Sequence, residues 1–272
     1  MKTRSDVLFG IGLLAGLMLL AAPALWAADA PAAAPAPVAK DKPAEAAKDQ
    51  PTTTPGGEKL APLPIKLPKA MFEGTPKNIK AAATLEKYSE KPRPPFMAPE
   101  GCVNLAAGKP VTASDQEPII GEIKLITDGD KEGTDGSFVE LGPGRQWVQI
   151  DLKQPADIYA ILVWHYHGEG RVYHDVVIQV ADDPDFIENV RTVYNNDFDN
   201  SAGLGIGKDM EYIQDYRGRL IKVMSDDYKP VRGRYVRLYS KGNTSNDQNH
   251  YIEVEVYGKP VKAEPAAPPK TK

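Results

Sequence analysis

Apolar and polar residues alternate strictly in several short stretches of the C-terminal half of the chain. In residues 252–257 an aliphatic side chain occupies every second position, and glutamate or tyrosine occupies the positions between them. Residues 147–152 and 235–239 follow the same period-two pattern. Because successive side chains of a β-strand point to opposite faces, the pattern predicts strands with one face in a core and the other in solvent.

Turn-forming residues separate these stretches. Gly142-Pro143-Gly144, Asp183-Pro184 and Arg232-Gly233 interrupt the alternation at intervals that suit an all-β sandwich. The region has no amphipathic helical stretch of useful length. We therefore predict an eight-stranded antiparallel jelly-roll β-sandwich over residues 100–259, a length that is sufficient for one sizeable core.

The N-terminus has the layout of a secretory signal peptide. Lys2 and Arg4 precede an apolar run over residues 7–25, and small residues follow at 27–30. This pattern predicts a signal peptide over residues 1–27 and a secreted or periplasmic mature protein. An uncleaved membrane anchor is the alternative, because the apolar run is just long enough to span a bilayer. Contact with a membrane is expected only in that case.

Proline content then separates the domain from its flanks. Residues 31–99 contain fourteen prolines, whereas residues 100–259 contain six. A chain of this composition buries too little apolar surface to offset its ordering entropy, so we predict a disordered, extended Pro/Ala/Lys-rich linker over 28–99. Pro76 suits a first helical position and predicts a short helix over 76–88. The tail 260–272 is predicted to be disordered, and 100–259 to fold alone.

Charge and cysteine content exclude several functions. Residues 101–259 carry 17 Lys and Arg against 26 Asp and Glu, a net charge of −9. Such a domain repels a phosphate backbone, so no nucleic-acid partner is expected. The single cysteine, Cys102, cannot form an internal disulfide or a CxxC motif, and we expect it to be buried beside Val103. The sequence contains no Gly-x-Ser-x-Gly elbow, and Cys102 has no neighbouring histidine in the sequence, so these catalytic motifs give no support for an enzyme.

Seven short segments also resemble, in order, those of a known family. They are 104–114, 127–130, 147–152, 161–165, 180–186, 234–238 and 249–258. In this order they resemble the discoidin domain, also called F5/8 type C or galactose-binding-like, and the carbohydrate-binding modules related to it. The resemblance implies the same sandwich, and a domain that binds and does not catalyse.

An acidic, glycine-rich turn over residues 128–136 is the first candidate site. Carboxylates at alternate positions converge several oxygens on one point, as hard cations such as Ca²⁺ require. It is not an EF-hand, because Val139 stands at the twelfth position. In the family it resembles, such a loop and a glutamate of the last strand hold a structural calcium ion. That resemblance implies ligands from Asp128, Asp130, Thr134 and Glu253; the alternative is a solvated acidic turn.

The second candidate site is the stretch 165–175, which contains three of the four histidines. His165 and His167 would lie on one face of a strand, and a return strand would bring His174 near, so a Zn²⁺ or Cu²⁺ site is one interpretation. For His165 we favour packing. Sugar recognition is the interpretation that we prefer for the stretch, because tyrosine faces stack on a pyranose while charged and amide groups pair with its hydroxyls. The predicted ligand residues here are His167, Arg171 and Tyr173.

A dense array of amides over residues 240–250 is expected to complete the sugar site. Its predicted ligand residues are Asn243, Asn246, Asn249 and His250. The alternative is that these side chains cap turns. The loop 195–209 is predicted to be a long rim loop: it lacks phosphate-loop spacing, and a second cation loop is the alternative.

Together these features predict a non-catalytic binding module that recognises carbohydrate on the cell envelope or an extracellular polysaccharide and holds a structural Ca²⁺. A protein-docking or scaffold module of the envelope, with an envelope protein as its partner, is the first alternative. A small metal-dependent enzyme is the second.

Overall fold

The structure is a computed structural model, and it describes residues 50–261. The predicted signal peptide at 1–27, the first part of the predicted linker and the tail from residue 262 lie outside the described residues. Within the described part, no helix is long and apolar enough to cross a membrane.

Fourteen β-strands and one short 3-10 helix make up the regular structure of the described residues. The 3-10 helix covers Ile123–Thr127. The strands are β1 (Leu60–Pro62), β2 (Met97–Pro99), β3 (Val103–Asn104), β4 (Val111–Ala113), β5 (Val139–Leu141), β6 (Gln146–Trp164), β7 (Arg171–Val172), β8 (Val177–Ala181), β9 (Arg191–Asn195), β10 (Ile213–Gln214), β11 (Arg219–Lys222), β12 (Val231–Ser240), β13 (Asn249–Tyr251) and β14 (Glu253–Pro260).

The long strand β6 organises the sandwich. Its first half pairs with β4, its second half pairs with β11 and β14, and β12 pairs with parts of both. β12 continues to β8 and β9, and β3 lies on the far side of β14, which gives eight antiparallel strands in one connected network. Val148 and Ile150 of the first half share one buried cluster with Ile161 and Val163 of the second half. The predicted all-β antiparallel fold is confirmed.

A second apolar cluster lies on the opposite face of β6 and β14. Leu162, Trp164 and Tyr257 contribute from the sandwich, and Leu63 and Ala98 contribute from the segment before it. We call residues 50–99 the N-terminal strap; β1 and β2 pair within it. Because the strap supplies apolar side chains to this cluster, it forms a third layer over part of the sandwich.

The prediction of a disordered linker is therefore wrong for residues 50–99. The short helix predicted over 76–88 is also absent: this stretch consists of turns and irregular chain with one bridge, from Leu85 to Glu211. Its side chains have partners on the sandwich. Tyr88 donates to Asp215 at 3.1 Å, and Glu86 pairs with Arg219 at 2.7 Å. These partners stabilise an extended chain conformation. Proline is compatible with this conformation, whereas inside a helix it would interrupt the hydrogen bonds.

The closing strand β14 is buried on both faces, whereas the alternation of its residues predicted one exposed face. Glu253, Glu255 and Tyr257, expected to face solvent, are all buried. Lys131 forms a 2.6 Å ion pair with Glu255 and donates to the carbonyl of Lys66 in the strap. The face that alternation assigns to solvent is thus covered by other parts of the chain.

Cys102 is buried, as expected, and it belongs to the cluster under the strap. Burial raises the pKa of its thiol to about 11. The side chain is therefore protonated and unreactive near neutral pH.

Candidate functional site

The first residue of β14, Glu253, faces the acidic loop. Its side chain is fully buried, and its Oε2 accepts a 3.1 Å hydrogen bond from the backbone N–H of Gly129. Its Oε1 is also buried and has no hydrogen-bond partner among the described residues. Burial, assisted by the charges of Glu255 and Asp128, raises the pKa of this carboxyl to about 9.

The loop that faces Glu253 is held by its own side chains. Asp128 accepts from the backbone of Asp130 at 2.9 Å, and Asp130 accepts from the backbone of Glu132 at 2.9 Å. Ser137 donates to the other oxygen of Asp130 at 2.8 Å and lies 3.4 Å from the hydroxyl of Thr134. The loop segment that carries three of the four predicted calcium ligands thus meets the fourth, Glu253, at Gly129.

These residues carry the kind of ligand atom that a hard cation binds, although the carboxylate oxygens of Asp128, Asp130 and Glu253 do not all lie within 4.8 Å of one another. A buried carboxylate with one unpaired oxygen costs free energy, and a cation bound to that oxygen would remove the cost. Carboxylate, hydroxyl and carbonyl oxygens are the ligands that Ca²⁺ prefers. The orphaned Oε1 of Glu253 is the feature that a simple solvated turn does not account for.

A different acidic cluster lies on the rim loop. Ligand oxygens of Asp175, Asp197 and Asp199 lie within 4.8 Å of one another, and this is the one group of three or more metal-ligating side chains so placed among residues 50–261. Ser201 donates to Asp175, and Lys241 lies 3.6 Å from the same carboxylate. Burial raises the pKa of Asp197. The cluster could hold a metal ion, although a lysine already neutralises part of its charge.

The histidine stretch forms a packed network, not a metal site. His165 stacks on Tyr173 with 4.2 Å between ring centroids and donates to the carbonyl of His250 at 2.8 Å. Burial lowers the pKa of His165 to about 4. His167 is also buried and donates to the carbonyl of Lys131 at 2.8 Å. His174 bonds elsewhere, and the three histidines do not converge, so the Zn²⁺ or Cu²⁺ interpretation is wrong.

Most of the predicted sugar ligands are buried in the same way. Six of the seven are buried, and Asn246 alone is exposed. The guanidinium of Arg171 lies 4.7 Å from the ring centre of Tyr166 and pairs with Glu169 at 3.2 Å. The buried set comprises His167, Arg171, Tyr173, Asn243, Asn249 and His250.

The amide array shows why these side chains are buried. Asn249 accepts from Ser240 and from the backbone of Gly242, and it donates to the carbonyls of Gly142 and Gly144, each at 2.8–2.9 Å. All of its hydrogen-bonding capacity is thus used within the protein. Asn249 thus joins the turn at Gly142 and Gly144 to the start of the 240–250 loop.

Asn243 and His250 have similar roles. Asn243 donates to Asn246 at 2.7 Å and to the carbonyl of Gln248 at 2.9 Å, closing the turn between them. His250 donates to Glu140 at 3.0 Å. As placed here, these groups shape the loops and are not open to a ligand; turn capping, the alternative interpretation, describes their contacts.

An open groove does occur where the two predicted stretches meet. It has a volume of about 280 Å³, and its walls include Val172 and His174 from the histidine stretch and Thr244 from the amide loop. The strap supplies the opposite wall with Ile79 and Leu85. The groove is a concave surface with both apolar and polar groups.

Glu211 fixes the polar wall of this groove. It accepts from His174 Nδ1 at 3.1 Å and from Thr84 of the strap at 2.9 Å. The hydrogen bond from His174 is the main cause that lowers the pKa of Glu211. Thr244 Oγ1 accepts from the backbone of Val172 at 3.1 Å and keeps its own hydrogen to donate. Glu211 and the strap residues of the groove could not be identified from the sequence, because no motif links them to the histidine stretch.

No family model and no curated protein match the chain. Solved structures do match. The module CBM32 of AlyQ in complex with 4,5-unsaturated mannuronic acid is 20% identical, covers 54% of this chain and 92% of its own, and gives a TM-score of 0.39. Chitosan-binding module 1 from the chitosanase/glucanase of Paenibacillus sp. IK-5 is 22% identical over 57% of this chain and 98% of its own, with a TM-score of 0.40.

A fucose-binding module of Streptococcus pneumoniae is 19% identical, covers 57% of this chain and 97% of its own, and gives a TM-score of 0.39. Each of these three neighbours is a carbohydrate-binding module. This chain has the antiparallel strand order of a β-sandwich, and the ligands of the neighbours are properties of those proteins.

Proposed function

We propose that the chain is a non-catalytic carbohydrate-binding module that acts outside the cytoplasm and holds a structural Ca²⁺. The observation that carries the proposal is the open groove at which the histidine stretch, the amide loop and the strap meet. We place the sugar in this groove, and not on the buried side chains predicted from the sequence. The extracytoplasmic part of the proposal rests on the apolar run over residues 7–25.

The composition of the groove suits a pyranose. Ile79, Leu85 and Val172 offer apolar surface for the carbon face of a ring, and the free ring nitrogen of His174 and the hydroxyl of Thr244 can pair with its hydroxyls. Such a site is shallow, and each solvated hydroxyl must be matched bond for bond. We therefore expect weak affinity for a single sugar.

The calcium ion has a structural role in this proposal. Asp128, Asp130 and Thr134 of the loop, with Glu253 from β14, would hold it, and its charge would keep the buried Glu253 carboxylate ionised. The ion would tie the loop to the last strand. It makes no contact with sugar and takes no part in chemistry.

The test is retention on immobilised polysaccharides of the cell envelope, preceded by a glycan array to select them. His174→Ala and Thr244→Val should each lower retention several-fold and cost no more than about 1 kcal/mol of stability, because each side chain makes one hydrogen bond in the groove wall. Thr112→Val is the matched control, since Thr112 is exposed on β4 and does not line the groove.

Two outcomes would contradict the proposal. Equal retention of Thr244→Val and Thr112→Val would show that the sugar binds elsewhere. If the wild-type protein retained no glycan and instead captured an envelope protein, in a manner sensitive to the same substitutions, the docking-module alternative would replace ours.

A further inference from the structure

A second groove lies between the strap and β11, and basic side chains dominate it. It has a volume of about 420 Å³ and is lined by Lys91 and Arg93 from the strap and by Arg217 and Arg219 from the sandwich. One carboxylate, that of Glu86, lines it. This concentration of positive charge contrasts with the acidic sandwich around it.

The charges in the groove are only partly neutralised. Arg217 pairs with Asp215, and Arg219 pairs with Glu86. Arg93 instead donates to the backbone carbonyls of Arg217 and Gly218, and no carboxylate among residues 50–261 lies within ion-pair distance of it. The groove therefore carries more cationic than anionic groups. Arg93 is half-buried, and solvent therefore screens its charge less than that of an exposed group.

The arginines are held in place before any ligand arrives. The guanidinium of Arg219 lies 4.7 Å from the ring centre of Tyr212 and 5.5 Å from that of Tyr194. Its Nε is buried and has no hydrogen-bond partner among the described residues. Arg217 lies 5.4 Å from the ring centre of Tyr88 in the strap. Such stacking reduces the entropy that ligand binding would otherwise cost.

An apolar cavity adjoins the basic groove. It has a volume of about 330 Å³ and is lined by Ile65, Phe96 and Tyr216, and it shares Arg93 and Arg217 with the basic groove. A ligand that fills both the basic groove and the apolar cavity needs an anionic group beside an apolar face. An acidic sugar has this combination, because a pyranose ring carries an apolar face and its carboxylate or sulfate is a planar or multidentate acceptor that matches guanidinium groups.

We propose that this groove binds the carboxylate or sulfate groups of an acidic polysaccharide. The inference rests on the proposed function and narrows its ligand class from glycans in general to anionic ones. Arg93 and Lys91 contribute cations that have no ion-pair partner among the described residues, and Arg219 contributes a stacked guanidinium whose Nε has no hydrogen-bond partner there. Because the remainder of the domain is acidic, the attraction must be local and should weaken as salt is added.

The experiment compares polymers that share one backbone: dextran, carboxymethyl-dextran and dextran sulfate. The full chain is run in affinity gel electrophoresis with each polymer at low and at physiological salt. We expect retention on one or both charged polymers and none on dextran, and the preferred polymer identifies the anionic group. Arg93→Gln should lower that retention about tenfold, as expected for the loss of one charge-assisted contact.

Arg191→Gln is the matched control, because Arg191 pairs with Asp182 and does not line the groove. It should retain wild-type binding within about twofold, because a surface ion pair contributes little to stability and this one does not line the groove. Lys91→Gln provides a second variant at an exposed position should Arg93→Gln unfold the strap, and we expect it to lower retention in the same direction.

Several results would overturn the inference. These are no retention on either charged polymer, equal losses for Arg93→Gln and Arg191→Gln, or Arg93-dependent binding of poly-glutamate without binding of the charged dextrans. Retention of envelope glycans that depends on Thr244, together with no Arg93-dependent retention on the charged dextrans, would refute this inference alone and leave the proposed function intact. If the protein retained neither the envelope glycans nor the charged dextrans, both this inference and the proposed function would be refuted.

Discussion

The interior of the sandwich and the face beneath the strap are both apolar and both buried, yet they are built differently. Interior residues such as Ile150 and Val163 recur with period two on regular strands. The covered face combines Trp164 of β6 with Leu63 and Phe96 of the strap, which has almost no regular structure. Periodicity therefore describes burial by a sheet, and it does not detect burial by an irregular segment that crosses the outside of that sheet.

The strap makes apolar contacts and polar contacts in different parts of its length, whereas a strand alternates them from one residue to the next. Apolar side chains near its two ends cover β6 and β14, whereas its middle part is held by polar contacts with residues 211–219. Gly170 has room for no side chain: a Cβ there would lie 2.2 Å from Pro76 of the strap. A proline-rich segment can thus be ordered wherever a neighbour supplies both its apolar and its polar partners.

Removal of the strap should have the largest effect. A chain of residues 100–261 loses the burial of Leu63, Ile65 and Phe96 and exposes Trp164. At about 1.5–3 kcal/mol for each large apolar side chain, we expect the free energy of unfolding to fall by at least about 4 kcal/mol. Urea unfolding of residues 50–261 and 100–261 measures the difference. Equal midpoints would mean that the strap merely lies on the surface and that 100–259 folds alone, as its composition predicts.

Asn249→Ala should have the next largest effect. The substitution removes the partner of two carbonyls and one backbone N–H, and one of the two partners of the Ser240 hydroxyl, at a cost of about 3 kcal/mol in the free energy of unfolding. Asn246→Ala, in the same loop but exposed, should change it by less than about 0.5 kcal/mol. Chemical denaturation of both variants provides the measurement. A stable Asn249→Ala protein with weakened glycan retention would restore the sugar-ligand role predicted from the sequence.

Glu253 should give the sandwich an unusual response to pH. Its folded pKa of about 9 lies above the ordinary glutamate value of 4.5, so the folded state binds the proton more tightly than the unfolded state does. In EDTA, stability should therefore decrease as pH rises from about 5 to about 9. With excess Ca²⁺ the carboxylate is stabilised in its ionised form, and the decrease should diminish.

Melting temperatures across that pH range, with EDTA or with millimolar Ca²⁺, test this expectation. Free Ca²⁺ at a hundred times its dissociation constant adds about 2.7 kcal/mol of stability. Asp130→Ala and Glu253→Gln should each remove most of the calcium effect, and Glu253→Gln should also remove the pH dependence. Identical curves with and without Ca²⁺ would contradict the calcium site.

Cys102→Ser should have the smallest effect. The thiol is buried under the strap, and a serine hydroxyl there would lack a partner, so we expect a loss of about 1 kcal/mol. Non-reducing gels of the wild-type protein should show no disulfide-linked dimer. A dimer that Cys102→Ser abolishes would show that the strap leaves this face accessible.

The sequence predicts much of the fold, but it predicts less of the candidate site. Strands such as β8 and β12, the acidic loop and its meeting with Glu253 all follow from the sequence or from its resemblance to discoidin domains. The composition of 165–175 and 240–250 indicated polar contacts correctly, but it could not say whether their partners were sugars or neighbouring loops. Only the placement of Gly142 and Gly144 opposite Asn249 decided that question.

The sequence alone determined the sandwich, because alternation and turns are local properties that fix strand faces wherever a sheet forms. Tertiary structure decided what covers the second face, which polar side chains are buried, and where grooves remain open. The strap illustrates the reason: its order arises from contacts with residues more than a hundred positions away, such as that of Tyr88 with Asp215. No pattern within a short stretch of chain contains that information.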